Sequence, residues 1–414
     1  MTAQSVIIVG AGIVGVSCAI HLQRKGFDVT IIDRLPPGEG TSFGNAGVLA
    51  ASSMIPVPVP GLLAQVPAML TKRDRPLFLR WAYLPRLLPW LIPYLRSGSA
   101  KRVRQIAAAL APIVTDAPDQ HLAIARGTRA ERWITDQDYV YVFRDRGDFD
   151  GSSLTWQVRR QHAPPLVEMD AAALHDAVPG IGPNYRFAVR CTQHGTVTNP
   201  SAYVKDLADH VVATGGRVLQ ADVDGIEVPD TGPVTVTAGA RTLSADRLVV
   251  AAGAHSDRVA RLFGDRFPVE AERGYHIELR NPSVMPPMPL MIADAKAVAT
   301  PMADGLRVAG LVEFGGLDAG PSRAPFQVLL RAVRDLFPGI TFDGHREWMG
   351  HRPATPDSLP VIGARKNRPS VAYAFGHHHI GLTGGPKTGR ILASLMAGEP
   401  TNLNVAPYTP DRFN

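Results

Sequence analysis

Three glycines near the N-terminus have the spacing G-x-G-x-x-G: Gly10, Gly12 and Gly15. Apolar stretches at 6–9 and 29–32 flank them and predict two buried parallel strands joined by a helix, and the acidic residue Asp33 ends the second strand. Glycines at this spacing let the backbone approach a pyrophosphate at the positive end of the helix, while the carboxylate accepts hydrogen bonds from a ribose. The segment therefore predicts a dinucleotide site, without distinguishing NAD from FAD.

The position of this motif and a second glycine-rich junction favour FAD. The motif starts at residue 10 and occurs once in the chain. Near the C-terminus, a strand predicted at 371–375 is followed by the sequence Gly-Gly-Pro at 384–386 and a helix predicted at 387–396. The positive end of a second helix can stabilise negative charge on a reduced flavin, which an NAD enzyme does not need. We therefore predict FAD as the cofactor.

Five segments carry glycine, small or polar residues in a characteristic order. They are GAGIVG at 10–15, TSFGNAGVLA at 41–50, VVAAGAHS at 249–256, WMGHRPATPDSLPVIG at 348–363 and GHHHIGLTGG at 376–385. In this order the chain resembles the FAD-dependent D-amino acid oxidase and dehydrogenase family. It is most similar to bacterial D-amino acid dehydrogenases, and glycine oxidase is more distant. The resemblance covers nearly the whole chain, and several motifs in register are more specific than one.

The resemblance implies a set of cofactor contacts, many of them small residues that allow close approach of the backbone. The candidates are Gly10, Gly12, Ile13, Val14, Gly15, Asp33, Arg34, Thr41, Ser42, Asn45, Ala46, Gly47, Val223, Ala252, Gly253, Gly381, Leu382, Thr383 and Gly384. For the segment at 41–50 taken alone, an ordinary Asn/Gly turn is an equally good interpretation.

On the substrate side, the resemblance assigns Arg352 to the substrate carboxylate. A planar guanidinium can bind a carboxylate with two parallel hydrogen bonds, and the surrounding prolines predict a stiff loop. The alternative for Arg352 is a structural salt bridge within that loop. The resemblance also places His377 beside the flavin. Tyr275 and His276 are candidates for the substrate pocket, although a strand residue can equally face elsewhere.

The three adjacent histidines at 377–379 suggest a metal site at first sight. Neighbouring residues of a strand point to opposite faces, so all three cannot easily bind one ion, and no cluster of Cys or acidic residues stands near them in the sequence. We therefore predict no metal.

The expected fold class is α/β, with an FAD-binding Rossmann-like domain split along the chain and an α+β substrate domain built on an antiparallel sheet. We assign residues 1–55, 190–260 and 345–414 to the FAD-binding domain, and residues 56–189 and 261–344 to the substrate domain and the cover of the active site. Antiparallel strands are predicted at 266–280 and 297–314, with a turn at 303–305, and a further parallel strand at 217–228.

Residues 76–96 are mostly apolar and aromatic, but two internal arginines and recurrent prolines are unlike a transmembrane helix. One interpretation is a series of short helices, each started by a proline, that cover the pocket. The other is an interfacial patch, with Trp81, Tyr83 and Trp90 at the depth of the lipid headgroups and the arginines on anionic lipid.

The composition of the 414 residues is that of a globular protein of two or three domains, with 45% hydrophobic and 19% charged residues. Two cysteines provide no disulfide framework, and no signal peptide is visible. We therefore expect a cytoplasmic protein, with the inner face of the membrane as a peripheral contact. The net charge of +6 is modest and no long Lys/Arg block occurs, so we predict no nucleic-acid partner.

The predicted reaction is the oxidation of a small amino acid, either a D-amino acid or a cyclic imino acid such as D-proline or hydroxy-D-proline. A hydride would move from Cα to flavin N5, and the electrons would pass to a quinone or another acceptor of the respiratory chain. Within this reaction, an oxidase of the amino acid, glycine or sarcosine type that uses oxygen remains open. A tRNA-modifying flavin enzyme, an NAD-dependent dehydrogenase and a non-catalytic membrane-associated protein are compatible with parts of the sequence but less favoured.

Overall fold

The structure is a computed structural model that describes residues 3–62, 64, 66, 76–150 and 153–413. Its strands are β1 (Ser5–Val9), β2 (Asp28–Asp33), β3 (Val48–Leu49), β4 (Leu77–Leu79), β5 (Ile134–Asp136), β6 (Tyr139–Phe143), β7 (Leu166–Met169), β8 (Phe187–Cys191), β9 (Gly195–Val197), β10 (Arg217–Gln220), β11 (Val223–Glu227), β12 (Val234–Ala238), β13 (Arg241–Ala245), β14 (Arg247–Val250), β15 (Glu270–Leu279), β16 (Leu290–Ile292), β17 (Ala297–Met302), β18 (Gly305–Phe314), β19 (His345–Ala354), β20 (Val361–Arg365) and β21 (Arg368–Phe375). Its helices are α1 (Ile13–Gln23), α2 (Leu84–Arg96), α3 (Ala100–Val114), α4 (Ala117–Ala125), α5 (Arg146–Asp150), α6 (Ser153–His162), α7 (Ala171–Ala177), α8 (Pro200–Ala213), α9 (Ser256–Arg261), α10 (Arg323–Leu336) and α11 (Gly381–Met396).

A mostly parallel sheet carries the dinucleotide motif. Its strand order is β10-β2-β1-β14-β21-β20, and only the edge strand β20 runs antiparallel to its neighbour. The central strands are rich in Val and Ile because both faces are covered. Helices α1 and α11 pack together on one face, and the small antiparallel sheet β11-β12-β13 covers the other. The Rossmann-like part of the predicted fold class is confirmed.

A larger, mainly antiparallel sheet forms the second half of the molecule. Its order is β19-β15-β18-β17-β16-β6-β8-β7, with β4 paired to β18. The strands predicted at 266–280 and 297–314 are β15, β17 and β18, and the turn predicted at 303–305 joins the last two. Helix α10 packs on one face of this sheet around a second hydrophobic core. The antiparallel sheet predicted for the substrate part is therefore present.

Some segments pack with the other half of the molecule than the one to which the predicted domain boundaries assign them. Residues 345–354, which we assigned to the FAD-binding domain, form β19 and pair with β15 in the large sheet. Helices α3 and α4, which we assigned to the substrate domain, pack in the core around α1 and α11. The single strand predicted at 217–228 is two strands, β10 in the parallel sheet and β11 in the small antiparallel sheet. The chain therefore passes between the two halves more often than we predicted.

The C-terminal helix α11 begins at Gly381, before the start predicted at 387. Pro386 consequently lies inside the helix, and it has no N–H to donate to the carbonyl of Leu382. The Nε2 of His121, on α4, donates to that carbonyl at 2.8 Å. Burial lowers the pKa of His121 to about 4, so its ring is neutral at pH 7. A histidine from a neighbouring helix therefore replaces the hydrogen bond that the proline removes.

Residues 76–96 form β4, a short 3₁₀ turn and one continuous helix, α2, rather than several short helices. Pro85 stands in the first turn of α2, where its fixed φ suits a helix start. Trp90 is buried and donates to the carbonyl of Ala354 at 3.1 Å, so it does not belong to an exposed aromatic patch, whereas Trp81 is 67% exposed. None of the helices in the described parts of the chain is long and apolar enough to cross a membrane.

Candidate functional site

A cavity of about 1600 Å³ lies between the carboxyl ends of the parallel strands and the face of the large sheet that α10 leaves uncovered. Ordinary ligand pockets measure roughly 300–1,000 Å³, so this one can hold a dinucleotide together with a small substrate. Most of the predicted site residues border it: Gly10, Gly12, Ile13, Val14, Asp33, Arg34, Thr41, Ser42, Asn45, Ala46, Val223, Ala252, Gly253, Tyr275, Arg352, His377, Gly381, Leu382 and Thr383.

Three predicted cofactor residues do not border the cavity, because each makes a close packing contact behind its wall. A Cβ on Gly15 would lie 1.9 Å from the carbonyl oxygen of Gly10, so glycine is needed here for α1 to approach the preceding turn. Gly47 has φ +77° and packs on β9, while Gly384 packs on α3. These three glycines therefore allow the elements around the cavity to pack closely, but they do not line it.

The first turn of α1 and Asp33 form the part of the cavity suited to a dinucleotide. One oxygen of Asp33 accepts from the N–H of Ala11 at 2.7 Å and the other from the N–H of Leu35 at 3.0 Å, which holds the carboxylate at the wall with lone pairs left for a ribose. Ser42 Oγ accepts from the N–H of Ile13 at 3.1 Å. The other N–H groups of the first turn can bind phosphate oxygens. These residues fit FAD.

The segment at 41–47 is held against the large sheet by a buried ion pair. Arg307 of β18 donates to the carbonyls of Phe43 at 3.0 Å and Asn45 at 2.8 Å. The same guanidinium pairs with Glu278 at 2.7 Å, so the cation is compensated although it is buried. A segment rich in glycine therefore has a fixed position at the boundary between the two sheets.

His276 supports this segment from the large sheet and does not border the cavity, contrary to its predicted role in the substrate pocket. Its Nδ1 donates to the carbonyl of Gly44 at 3.1 Å, and its ring stacks on Trp348 with centroids 5.2 Å apart. Burial, and then the charge of Arg307, lower the pKa of His276 to about 3. These contacts indicate that the neutral ring of His276 positions the 41–47 segment.

Arg352 lies on the edge strand β19 and not in a loop as predicted. Its side chain crosses Gly274, where a Cβ would lie 2.5 Å from Nη2. Nη1 donates to the carbonyl of Leu311 at 2.8 Å and Nη2 to that of Gly310 at 3.3 Å. Among the described residues, no carboxylate forms an ion pair with it, so the salt-bridge alternative has no partner there. Its other N–H groups remain available for a ligand carboxylate.

The two carbonyls that hold Arg352 belong to an irregular part of the sheet. The register of β15 and β18 shifts between Arg273 and Tyr275, and Leu311 adopts φ +61°. Lys296, at φ +52°, accepts a hydrogen bond on its carbonyl from the N–H of Leu311 at 3.5 Å. Left-handed backbone costs about 1–3 kcal/mol for such residues and is concentrated at functional sites. The strained residue Leu311 is also one of the two residues whose carbonyls accept hydrogen bonds from Arg352.

Glu272 lies opposite Arg352 in the pairing of β15 with β19 and is only 1% exposed. The hydroxyl of Tyr94 donates to one carboxylate oxygen at 2.9 Å, and Nδ1 of His378 lies 4.0 Å from the other. Burial raises the pKa of Glu272, and the charge of Arg352 opposes this. His379 exposes its ring to the same cavity, and burial followed by Arg352 lowers its pKa to about 4. None of these four neighbours of Arg352 was predicted as a site residue from the sequence.

Tyr275 borders the cavity, but its hydroxyl is engaged elsewhere. It donates to Glu313 and accepts from the N–H of Ser322 at 3.1 Å. Burial raises the pKa of Tyr275 to about 12, so the phenol stays protonated. Arg273 is fully buried and bound by Glu313 and by carbonyls at 316–320. The predicted contact of Tyr275 with substrate is therefore not supported by its hydrogen bonds, and Arg273 is not available to a ligand.

His377 precedes α11 at the wall of the cavity, and its Nε2 lies 2.8 Å from Oγ1 of Thr388. Burial lowers the pKa of His377 to about 3, which leaves the ring neutral. Residues 381–383, the first of α11, also border the cavity, so the positive end of a second helix is directed at it. The part of the chain that the structure describes contains no group of three or more His, Cys, Asp or Glu side chains arranged to hold a metal ion.

Four cations that were not predicted from the sequence border the cavity: Arg144, Arg159, Arg258 and Lys296. Arg144 pairs with Asp294 and Asp335, and Arg258 with Asp318, whereas Arg159 and Lys296 form no ion pair with a described carboxylate. Arg159 of α6 lies over the rings of Tyr141 and Trp156, with its guanidinium carbon 5.0 Å and 4.7 Å from their centroids. Lys296 precedes β17. Neither motif nor spacing distinguishes these two residues from other surface cations, because only the fold brings them together.

Known proteins match the chain along nearly its whole length. The family model DAO, described as FAD dependent oxidoreductase, matches residues 5–395. A D-amino-acid oxidase of Bradyrhizobium diazoefficiens is 38% identical over 417 residues, and a D-amino acid dehydrogenase of the same organism is 29% identical over 418; each match covers 99% of both chains. Among solved structures, glycine oxidase from Geobacillus kaustophilus has a TM-score of 0.74 at 20% identity, covering 98% of both chains. L-proline dehydrogenase from P. horikoshii has a TM-score of 0.74 at 16% identity, covering 99% of this chain and 98% of that one.

Proposed function

Because the chain belongs to the DAO family of FAD-dependent oxidoreductases, we propose that it oxidises a D-amino acid whose carboxylate binds Arg352. The family makes it an FAD-dependent enzyme. The substrate class rests on relatives that are D-amino acid oxidases and dehydrogenases. The observation that carries the proposal is the guanidinium of Arg352, which borders the cavity, is held by two carbonyls and has no carboxylate partner in the described chain.

FAD, when bound, would supply the two-electron acceptor for the hydride of Cα. The proton of the amine would leave to solvent, and the imino acid would then take up water to give a 2-oxo acid and ammonia. Arg352 orients the substrate, because two parallel hydrogen bonds to the carboxylate fix the direction of Cα. The carbonyls of Gly310 and Leu311 position Arg352, and burial lowers its pKa while the charge of Glu272 opposes this. Apolar side chains of helix α2, among them Leu87 and Leu91, line the cavity and would help to exclude water from it.

The electron acceptor is a separate part of the proposal. We predicted a quinone or another carrier of the respiratory chain, and the dehydrogenase relatives at 26–29% identity favour it. A peripheral contact with the inner face of the membrane would then involve the exposed apolar residues near α2, Trp81, Leu88 and Ile92. Oxygen is the second candidate, because the relative at 38% identity is an oxidase.

The test is anaerobic reduction of the purified, FAD-loaded protein by matched D- and L-amino acids, followed by absorbance of the flavin. We expect D-amino acids to bleach the flavin and their L-enantiomers to do so far more slowly. Bleaching by L-amino acids alone would overturn the proposed chirality. Mixing the reduced protein with oxygen or with a soluble quinone then identifies the acceptor, since the true acceptor restores the yellow colour within the turnover time.

A further inference from the structure

The wall of the cavity next to Arg352 carries a second positive region, formed by Arg159 and Lys296. Lys296 is the neighbour of Leu311 across β17 and β18, so its backbone lies one strand, about 5 Å, from a carbonyl that holds Arg352. His379 also borders this cavity, and the charges of Arg352 and Arg159 both lower its pKa. The three cations therefore border one continuous part of the cavity.

Arg159 and Lys296 form no ion pair with the part of the protein that the structure describes. Within the described ranges, no carboxylate lies in ion-pair distance of either side chain. The nearest acid in sequence, Asp294, is bound by Arg144 at 2.8 Å. Arg159 is instead held by aromatic rings and by the carbonyl of Ser52 at 3.4 Å. Burial, and then the charge of Arg159, lower the pKa of Lys296, and the charge of Asp294 opposes this.

Two like charges that border one cavity repel each other, and the left-handed backbone of Lys296 at φ +52° adds a further cost. An anionic ligand would offset both. FAD already has its phosphate-binding part at the first turn of α1, in the other half of the molecule. The substrate carboxylate has Arg352. A further negative charge on the ligand that Arg352 holds would offset this repulsion.

We infer that Arg159 and Lys296 form a second anion subsite, so that the preferred substrate is a D-amino acid with a carboxylate at the end of a short side chain. This inference rests on the proposed function. The α-carboxylate binds Arg352, the side-chain carboxylate binds Lys296 and Arg159, and the neutral ring of His379 borders the same cavity. D-Glutamate and D-aspartate have this chemistry, and their amides D-glutamine and D-asparagine match them in size without the charge.

The experiment uses the FAD-loaded protein and compares kcat/KM for D-glutamate and D-glutamine. In parallel, the Kd values of glutarate and butyrate, which carry two and one carboxylates, are measured by calorimetry. A charged hydrogen bond changes affinity by about 10- to 150-fold, so we expect the native protein to prefer D-glutamate and glutarate by at least about tenfold. Lys296→Gln and Arg159→Gln should each reduce this preference about tenfold or more, and Lys296→Arg should retain most of it.

Lys101→Gln is the matched control, because Lys101 is exposed on α3 and should leave the ratio unchanged. Equal activity on D-glutamate and D-glutamine in the native protein would overturn the inference. So would loss of FAD from Lys296→Gln with an unchanged ratio, since that result would assign the cations to the cofactor. If no amino acid reduces the flavin while glutarate still binds through Lys296, the proposed function fails but the anion subsite stands.

Discussion

Replacing Gly274 by alanine should displace Arg352 without removing any charge. A Cβ at this position would lie 2.5 Å from Nη2 and 2.6 Å from the guanidinium carbon, well inside contact distance. The guanidinium must then move off the carbonyls of Gly310 and Leu311, which it contacts at 3.3 and 2.8 Å. Disturbing hydrogen bonds of a charged group costs about 1.5–3 kcal/mol, equivalent to roughly 10- to 150-fold in kcat/KM.

The assay is stopped-flow reduction of the flavin at varied substrate concentration, with FAD content and the midpoint of thermal unfolding measured on the same samples. We expect the loss mainly in KM, because binding of the carboxylate is disturbed while the cofactor is not. Gly225→Ala is the control, since a Cβ there meets only Thr237 at an ordinary 3.7 Å. Full kcat/KM in a folded, FAD-loaded Gly274→Ala protein would refute the reasoning that Arg352 acts from its position over this glycine.

Three further outcomes follow from the described contacts. Asp33→Ala should weaken FAD binding by about 1.5–3 kcal/mol and leave substrate preference unchanged; equal FAD affinity in a dilution assay would remove Asp33 from the cofactor site. His121→Phe should lower the free energy of unfolding by about 1–3 kcal/mol, because the carbonyl of Leu382 loses its donor, and urea denaturation would show this. Burial lowers the pKa of His121 to about 4 and that of His377 to about 3, below the 6.5 of an unfolded chain. The unfolded state therefore binds more protons, so stability should be complete above pH 6.5 and fall as the pH drops towards 4, by about 1.4 kcal/mol per pH unit for each such histidine. A urea midpoint that is constant between pH 7 and 4.5 would contradict that assignment.

Local patterns were sufficient for the dinucleotide motif. Gly10, Gly12 and Asp33 belong to one strand-helix-strand unit, so their spacing in sequence fixes their spacing in the fold. The antiparallel strands at 297–314 were also predictable, because a hairpin is determined by its own turn and alternation. In both cases the partners in the structure are close in the chain.

The environment of Arg352 was not predictable in the same way. Pro353 suggested a loop, but β19 is the edge strand of the large sheet, where a proline removes no hydrogen bond that a neighbour requires. Glu272 lies opposite Arg352 only through the register of β15 with β19, and Lys296 contacts Leu311 only through the neighbouring strands β17 and β18. These contacts join distant parts of the chain, and single-sequence patterns carry no information about them.

The same limit explains the four departures from the predicted site. Glycines 15, 47 and 384 were expected to contact the cofactor because they are glycines in matching motifs, but packing behind the wall requires a small residue equally strongly. His276 alternates with Tyr275 along β15, so a bulge in the sheet decides which side chain faces the cavity. A shift of one residue in register is not visible in the sequence.

The central claim is that Arg352 holds the carboxylate of an amino acid that is oxidised in this cavity. The most direct measurement is the anaerobic rate of flavin reduction by a D-amino acid and by the corresponding amine without a carboxylate, in the native protein and in Arg352→Ala. We predict that the native protein strongly prefers the amino acid, and that Arg352→Ala loses roughly 3–5 kcal/mol in kcat/KM on the amino acid while keeping FAD and reacting with the amine almost as before. An FAD-loaded Arg352→Ala protein that reduces its flavin with the amino acid at the native rate would contradict the claim.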